Sequence, residues 1–161
     1  MKFYFRTAEL LAEKSRRSAA DEAGLAESHR PIVVVETEDG DEAVALWRGL
    51  GAHGYQVEWC PGPNSAAHRR CLLTTTGQCR LIDEADVVLS HLDFSRGEAR
   101  DCVAALRERH PETPVVVSTP SSVLAEFPEL AHGSAEVLVY PLTGGEVVDA
   151  VGEAVLSASR G

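Results

Sequence analysis

The sequence predicts a three-layer α/β domain, a five-stranded parallel sheet in order 2-1-3-4-5 with helices on both faces and an N-terminal helical extension. Three observations carry this. Short runs rich in β-branched residues recur along residues 31–161. Segments with helical spacing stand between most of them and after the last. The runs are near-continuously apolar, as strands covered on both faces are. Right-handed crossovers leave few topologies for such a chain, and the doubly wound order is the expected one.

Residues 1–30 read as an appendage. Thr7 to Glu27 is rich in Ala, Glu, Leu and Arg, which favour helix. Its larger apolar positions, Leu10, Leu11 and Leu25, are too sparse for a core. Residues 31–161 are the body. After Pro31, Ile32-Val33-Val34-Val35 opens the sheet. Asp41 to His53 has helical spacing, with Ala43, Val44, Leu46, Trp47 and Leu50 on its apolar side, and Gly54 closes it. Tyr55 to Trp59 alternates as a second strand.

From Cys60 to Arg80 the chain is polar and broken by Pro61, Pro63 and Gly77, so an irregular segment is expected. Cys71-Leu72-Leu73 and Cys79-Arg80-Leu81-Ile82 are expected to pin it by burial. The rhythm then resumes. Asp86 to Ser90 is the third strand, and Arg96 to Arg109 a helix with Ala99, Cys102, Val103 and Leu106 inward. Pro114 to Ser118 is the fourth strand, followed by a short Pro-interrupted helix from Ser121 to Ala131. Glu136 to Tyr140 is the fifth strand. Gly145 to Ser157 is the last helix, with Val147, Val148, Val151, Ala154 and Val155 inward.

Composition bounds the function. The chain has 161 residues, 44% hydrophobic and 25% charged, as in an ordinary globular protein of one domain. No apolar run reaches the ~20 residues of a membrane helix. The N-terminus MKFYFRTAELLAEKSRR has no apolar core of a signal peptide, so a cytoplasmic location is expected. The net charge is −10. Residues 1–30 hold six basic and five acidic side chains, which leaves nine and 20 for the body. So acidic a body repels phosphates, and direct nucleic-acid binding is not expected.

Doubly wound sheets bind ligands beyond the C-terminal strand ends, at the switch point between strands 1 and 3. The residues due there are Glu36, Thr37, Glu38 and Asp39, then His91 and Asp93, Thr119, and Tyr140. Those positions carry a resemblance. The body resembles a response-regulator receiver domain, which has the flavodoxin-like strand order. Receivers open on an apolar strand ending in an acidic pair, and here Val35 is followed by Glu36-Thr37-Glu38-Asp39. Their third strand ends in the Asp that accepts a phosphoryl group. Here Asp86-Val87-Val88-Leu89-Ser90-His91 puts His91 at that position. Thr119 matches the Ser or Thr that ends their fourth strand. Tyr140-Pro141 stands where they have Lys-Pro.

The resemblance therefore implies a receiver without its chemistry. That chemistry needs a carboxylate nucleophile, an acidic pair for Mg²⁺ and a Lys against developing charge. His91, Thr37 and Tyr140 replace three of these groups. What it implies is a regulatory protein–protein module, not an enzyme, with no cofactor. Its partner is another protein or a second copy of the chain. Receivers commonly signal through their fourth helix, fifth strand and fifth helix, here about residues 121–158. Glu126, Glu129, Glu146, Asp149 and Glu153 on that face suit a basic partner.

Other signals are weaker. Gly49-x-Gly51-x-x-Gly54 has the dinucleotide spacing but closes a helix, where the fingerprint must open one. Cys102 reads as core. Cys60, Cys71 and Cys79, with His68, fall in one segment and provide the alternative function, a redox or metal sensor. Their wide spacing lacks a Cys-x-x-Cys knuckle. His91 reads either as a ligand or base oriented by Asp93 or Glu36, or as a filler of the acceptor's space. His29, His53, His110 and His132 fall at element ends and read as solvated.

Overall fold

Five apolar runs pair into one parallel sheet. A computed structural model of the chain describes residues 29–63 and 71–160. The helix expected over Thr7 to Glu27, and His68, lie outside the described residues. The elements are β1 (Ile32–Thr37), α1 (Gly40–Ala52), β2 (Gln56–Cys60), α2 (Leu72–Thr76), α3 (Arg80–Asp83), β3 (Val87–His91), α4 (Gly97–Arg109), β4 (Val115–Thr119), α5 (Ser121–Glu126), a 3-10 turn (Pro128–Ala131), β5 (Glu136–Val139) and α6 (Gly144–Ala158). The strand order is β2-β1-β3-β4-β5. Every ladder is parallel, and β1 pairs with β3 so that Glu36 lies beside Ser90 and Thr37 beside His91.

Strand side chains alternate between faces, and the core divides accordingly. Val33, Val35, Val87, Leu89 and Val116 pack with Leu50 of α1 and Val147, Ala150, Val151 and Ala154 of α6. Val34, Val88, Val115 and Val117 pack on the other face with Ala99, Cys102, Val103 and Leu106 of α4. Two caps set the entry of the helices on the first face. The Asp39 carboxylate accepts from the N–H groups of Asp41 and Glu42 at 2.8 and 3.3 Å. Thr143 and Glu146 form a reciprocal capping box on α6.

The structure corrects three expectations. The segment from Cys60 to Arg80 is not wholly irregular. It carries the five-residue helix α2, stopped by Gly77 at φ +75°, where a side chain would be strained and would press on Arg109. Leu73 and Ile82, each 2% exposed, are the groups that pin it, whereas Leu72 is 57% exposed. On α1, Val44 and Trp47 are exposed, because only Ala43 and Leu50 of that helix are buried against the sheet. His110 is not solvated. The chain turns back at the end of α4, leaving its side chain 12% exposed, 3.7 Å from Asp83 of α3.

Candidate functional site at the strand ends

Strand parity builds this site. His91 follows Leu89 on the α1/α6 face, and Thr37 follows Val35. Ser118 comes from the same face of β4, next to Val116. Glu42, in the first turn of α1, reaches back between them. The Thr37 hydroxyl donates to Glu42 Oε2 at 2.8 Å. Glu42 Oε1 lies 2.7 Å from His91 Nε2. His91 Nδ1 lies 3.1 Å from Ser118 Oγ. The Tyr140 hydroxyl bonds to the imidazole, and the two rings meet at 4.9 Å between centroids.

Burial holds the His91 pKa below its ordinary value, against the opposing pull of Glu42 and Asp39. The imidazole is therefore neutral at pH 7. The network then assigns its proton to Nε2, which donates to Glu42, and leaves Nδ1 to accept from a hydroxyl. A Ser–His–carboxylate chain has the makings of a nucleophile–base pair. Ser118 is 1% exposed and is one of the residues lining a cleft between α1 and α6. The arrangement locks the strand ends together.

Two clefts flank the network, and Glu42, His91 and Tyr140 form a wall of both. One, about 460 Å³, runs between α1 and α6 over Leu46, Leu89 and Leu142. The other, about 380 Å³, is lined by Thr37, Glu38, Asp39 and Asp93 as well, together with Leu92, Phe94, Pro120 and Val123. The structure thus brings six of the expected residues together: Thr37, Glu38, Asp39, His91, Asp93 and Tyr140. Several are already engaged. Asp39 caps α1, Glu38 lies 3.5 Å from Arg96, and Asp93 accepts from the N–H and hydroxyl of Ser95. His91 is oriented by Glu42, not by Asp93 or Glu36. Glu42 and Ser118 are functional positions that the strand-end rule alone does not single out. Asp39-x-x-Glu42 is a capping pattern that signals a Glu folded back over the strand end.

Glu36 and Thr119 line neither cleft. Both are on the opposite face with Val34 and Val117, and are 1% and 0% exposed. Glu36 Oε2 and the Thr119 hydroxyl have no hydrogen-bond partner among the described residues. Burial pushes the Glu36 carboxyl up to about 7, partly offset by the Ser90 hydroxyl and Cys102 thiol beside it. Cys102 Sγ is 3.8 Å from Glu36 Oε1 and 3.7 Å from Cys71 Sγ. All four thiols are free. Burial and the nearby Glu36 push Cys60 up to about 12. Cys71 is brought down to about 5, first by its contact with the Cys102 thiol and then by the N–H groups of Thr74 and Leu73, against partial burial. Among the described residues, no three His, Cys, Asp or Glu side chains are grouped to hold a metal ion.

Solved structures share this architecture. A response-regulator receiver domain from Clostridium thermocellum superposes with a TM-score of 0.63 at 17% identity, over 80% of this chain and 97% of that one. The fold is that of a receiver domain. The chemotaxis response regulator CheY4 of Vibrio cholerae has the same receiver fold, with a TM-score of 0.59 at 19% identity, over 78% of this chain and 99% of that one. So does the signal receiver domain of an HD domain-containing protein from Pseudomonas fluorescens Pf-5, with a TM-score of 0.62 at 17% identity, over 83% of this chain and 92% of that one. No protein-family model matches the sequence, and neither does any curated protein.

Proposed function

We propose that this chain is a regulatory protein–protein interaction module, a receiver-like domain that works without aspartyl phosphorylation and without enzymatic activity. The observation that carries the reading is His91. It occupies the end of β3, where the receiver pattern has its acceptor carboxylate, and it is held there by Glu42, Ser118 and Tyr140. The residues do not fit a Mg²⁺ site of the receiver kind. Glu36 is buried on the other face, Thr37 is neutral, and Tyr140 replaces the Lys.

Glu126, Glu129, Glu146, Asp149 and Glu153 are all exposed, which supports an acidic docking face over residues 121–158. The partner is then a protein with a basic surface or a second copy offering one, and not a nucleic acid. Among the described residues no helix is long and apolar enough to cross a membrane, in keeping with a cytoplasmic place of action. The test is incubation with acetyl phosphate and Mg²⁺, followed by intact mass. The expected result is no gain of a phosphoryl group. A stoichiometric adduct on Asp93 or any other carboxylate of the cleft overturns the reading.

A further inference from the structure

The strand-end network leaves a second cluster unused, on the α4 face of the sheet. It holds Cys71, half-buried at the start of α2, Cys102 of α4, 1% exposed, and Glu36. Cys102 Sγ stands between the other two groups, 3.7 Å from Cys71 Sγ and 3.8 Å from Glu36 Oε1. The second carboxylate oxygen, Glu36 Oε2, is buried and makes no hydrogen bond among the described residues. Packing for stability alone does not account for a buried carboxyl with one open oxygen beside a thiol, since an unpaired buried polar group costs about 1–3 kcal/mol.

We propose that Cys71 and Cys102 are a peroxide-reactive thiol pair, in which the accessible Cys71 takes oxygen from a hydroperoxide, Cys102 then closes a disulfide onto it, and Glu36 receives the Cys102 proton. In the first step the Cys71 thiolate attacks the distal peroxide oxygen. The S–O bond forms, the O–O bond breaks, and the alkoxide leaves and picks up a proton. Cys71 is now a sulfenic acid, oxidised by two electrons, and the hydroperoxide has been reduced to an alcohol. In the second step Cys102 passes its proton to the Glu36 carboxylate and its sulfur attacks the Cys71 sulfur. The S–S bond forms, the S–O bond breaks, and hydroxide leaves as water after taking up a proton. Two thiols and one hydroperoxide give one disulfide, one alcohol and one water.

Geometry and electrostatics agree on the division of labour. The sulfurs must close from 3.7 Å to the ~2.05 Å of a disulfide, and Cys71, the N-cap of the five-residue α2, is the less buried of the two. The contact between the thiols lowers the pKa of Cys71, while that contact and burial raise the pKa of Cys102. Glu36, with its carboxyl near neutrality, is part carboxylate at pH 7 and able to take a proton. This pairing differs from the Cys60, Cys71 and Cys79 grouping that the sequence suggests. It does not depend on the docking function proposed above.

The test uses the full chain, hydrogen peroxide and a non-reducing peptide map. The expected product is one Cys71–Cys102 crosslink with loss of two alkylatable thiols, and the same crosslink in Cys60→Ser and Cys79→Ser. Cys102→Ala stops at a dimedone-trappable sulfenic acid on Cys71. Glu36→Gln leaves sulfenic acid formation unchanged but slows closure by about a hundredfold, the low end for a lost general base. The wild-type chain supplies an independent reading. Below pH 6, iodoacetamide alkylates Cys71 about tenfold or more faster than the other thiols, after allowance for the lower nucleophilicity of an acidic thiolate. A crosslink between other cysteines, no crosslink, or a Cys71 no faster than the rest at low pH overturns the pair. An unchanged closing rate in Glu36→Gln overturns the role of Glu36.

Discussion

Glu36 and His91 stand on adjacent strands yet give stability opposite responses to pH. The Glu36 carboxyl is raised from 4.5 to about 7 in the folded chain. Folding therefore takes up a proton between those values. Its contribution to stability is complete below pH 4.5 and is lost as pH rises through 7. Glu36→Gln removes this dependence, and relative to the wild type it is expected to gain on the order of 3 kcal/mol between pH 4.5 and 8. His91 is lowered, so its contribution is complete above pH 6.5 and is lost as pH falls. His91→Gln is expected to lose less stability than the wild type between pH 7 and 5. Urea midpoints at four pH values check both, and parallel curves for the wild type and Glu36→Gln would refute the first. The run Glu36-Thr37-Glu38-Asp39 reads as one acidic cluster in the sequence. Only the two-residue period of β1, with Val34 beneath Glu36 and Val35 beneath Thr37, reveals that the first two point to opposite faces.

At the scale of elements, the strands and the long helices were legible because their apolar runs are unbroken or keep helical spacing. The segment between β2 and β3 was not. Its helix α2 is too short for periodicity to register, and Thr74, Thr75 and Thr76 are poor helix formers. What holds it is tertiary contact: Leu73 and Ile82 enter the same core as Phe94, Val103 and Leu106. Leu73→Ala is accordingly expected to cost about 2–4 kcal/mol. Cys79→Ser, at a partly buried site with no bridge, is expected to cost less than about 1 kcal/mol. Chemical denaturation with an unchanged m-value tests the contrast. Equal losses for the two variants would mean that the thiol, not the leucine, anchors the segment.

For the whole molecule, the strand order was legible because a parallel sheet with right-handed crossovers allows few alternatives. The strand-end site was legible only as a set of positions. Its working contacts come from Glu42 and Ser118, which no spacing rule links to His91 across 49 and 27 residues of chain. Among the described residues, both core clusters are drawn from Val33 to Ala154. Because Leu10, Leu11 and Leu25 are too sparse for a core, a chain of residues 31–161 is expected to fold alone and melt cooperatively, within a few degrees of the full chain. Circular dichroism melts of the two chains test this, and a non-cooperative melt of the shorter chain would show that residues 1–30 complete the structure.

The sequence has two tryptophans, and neither is in the core: Trp47 is 58% exposed and Trp59 49%. Trp59 donates its indole N–H to the carbonyl of Thr37, a residue that lines the smaller cleft, at 3.0 Å. The intrinsic fluorescence of this protein is thus a surface signal. Its emission maximum is expected to lie toward that of indole in water, so that unfolding moves it less than it would move that of a core tryptophan. A partner or ligand that covers the α1 face or the cleft rim would shift it to the blue, without any label attached.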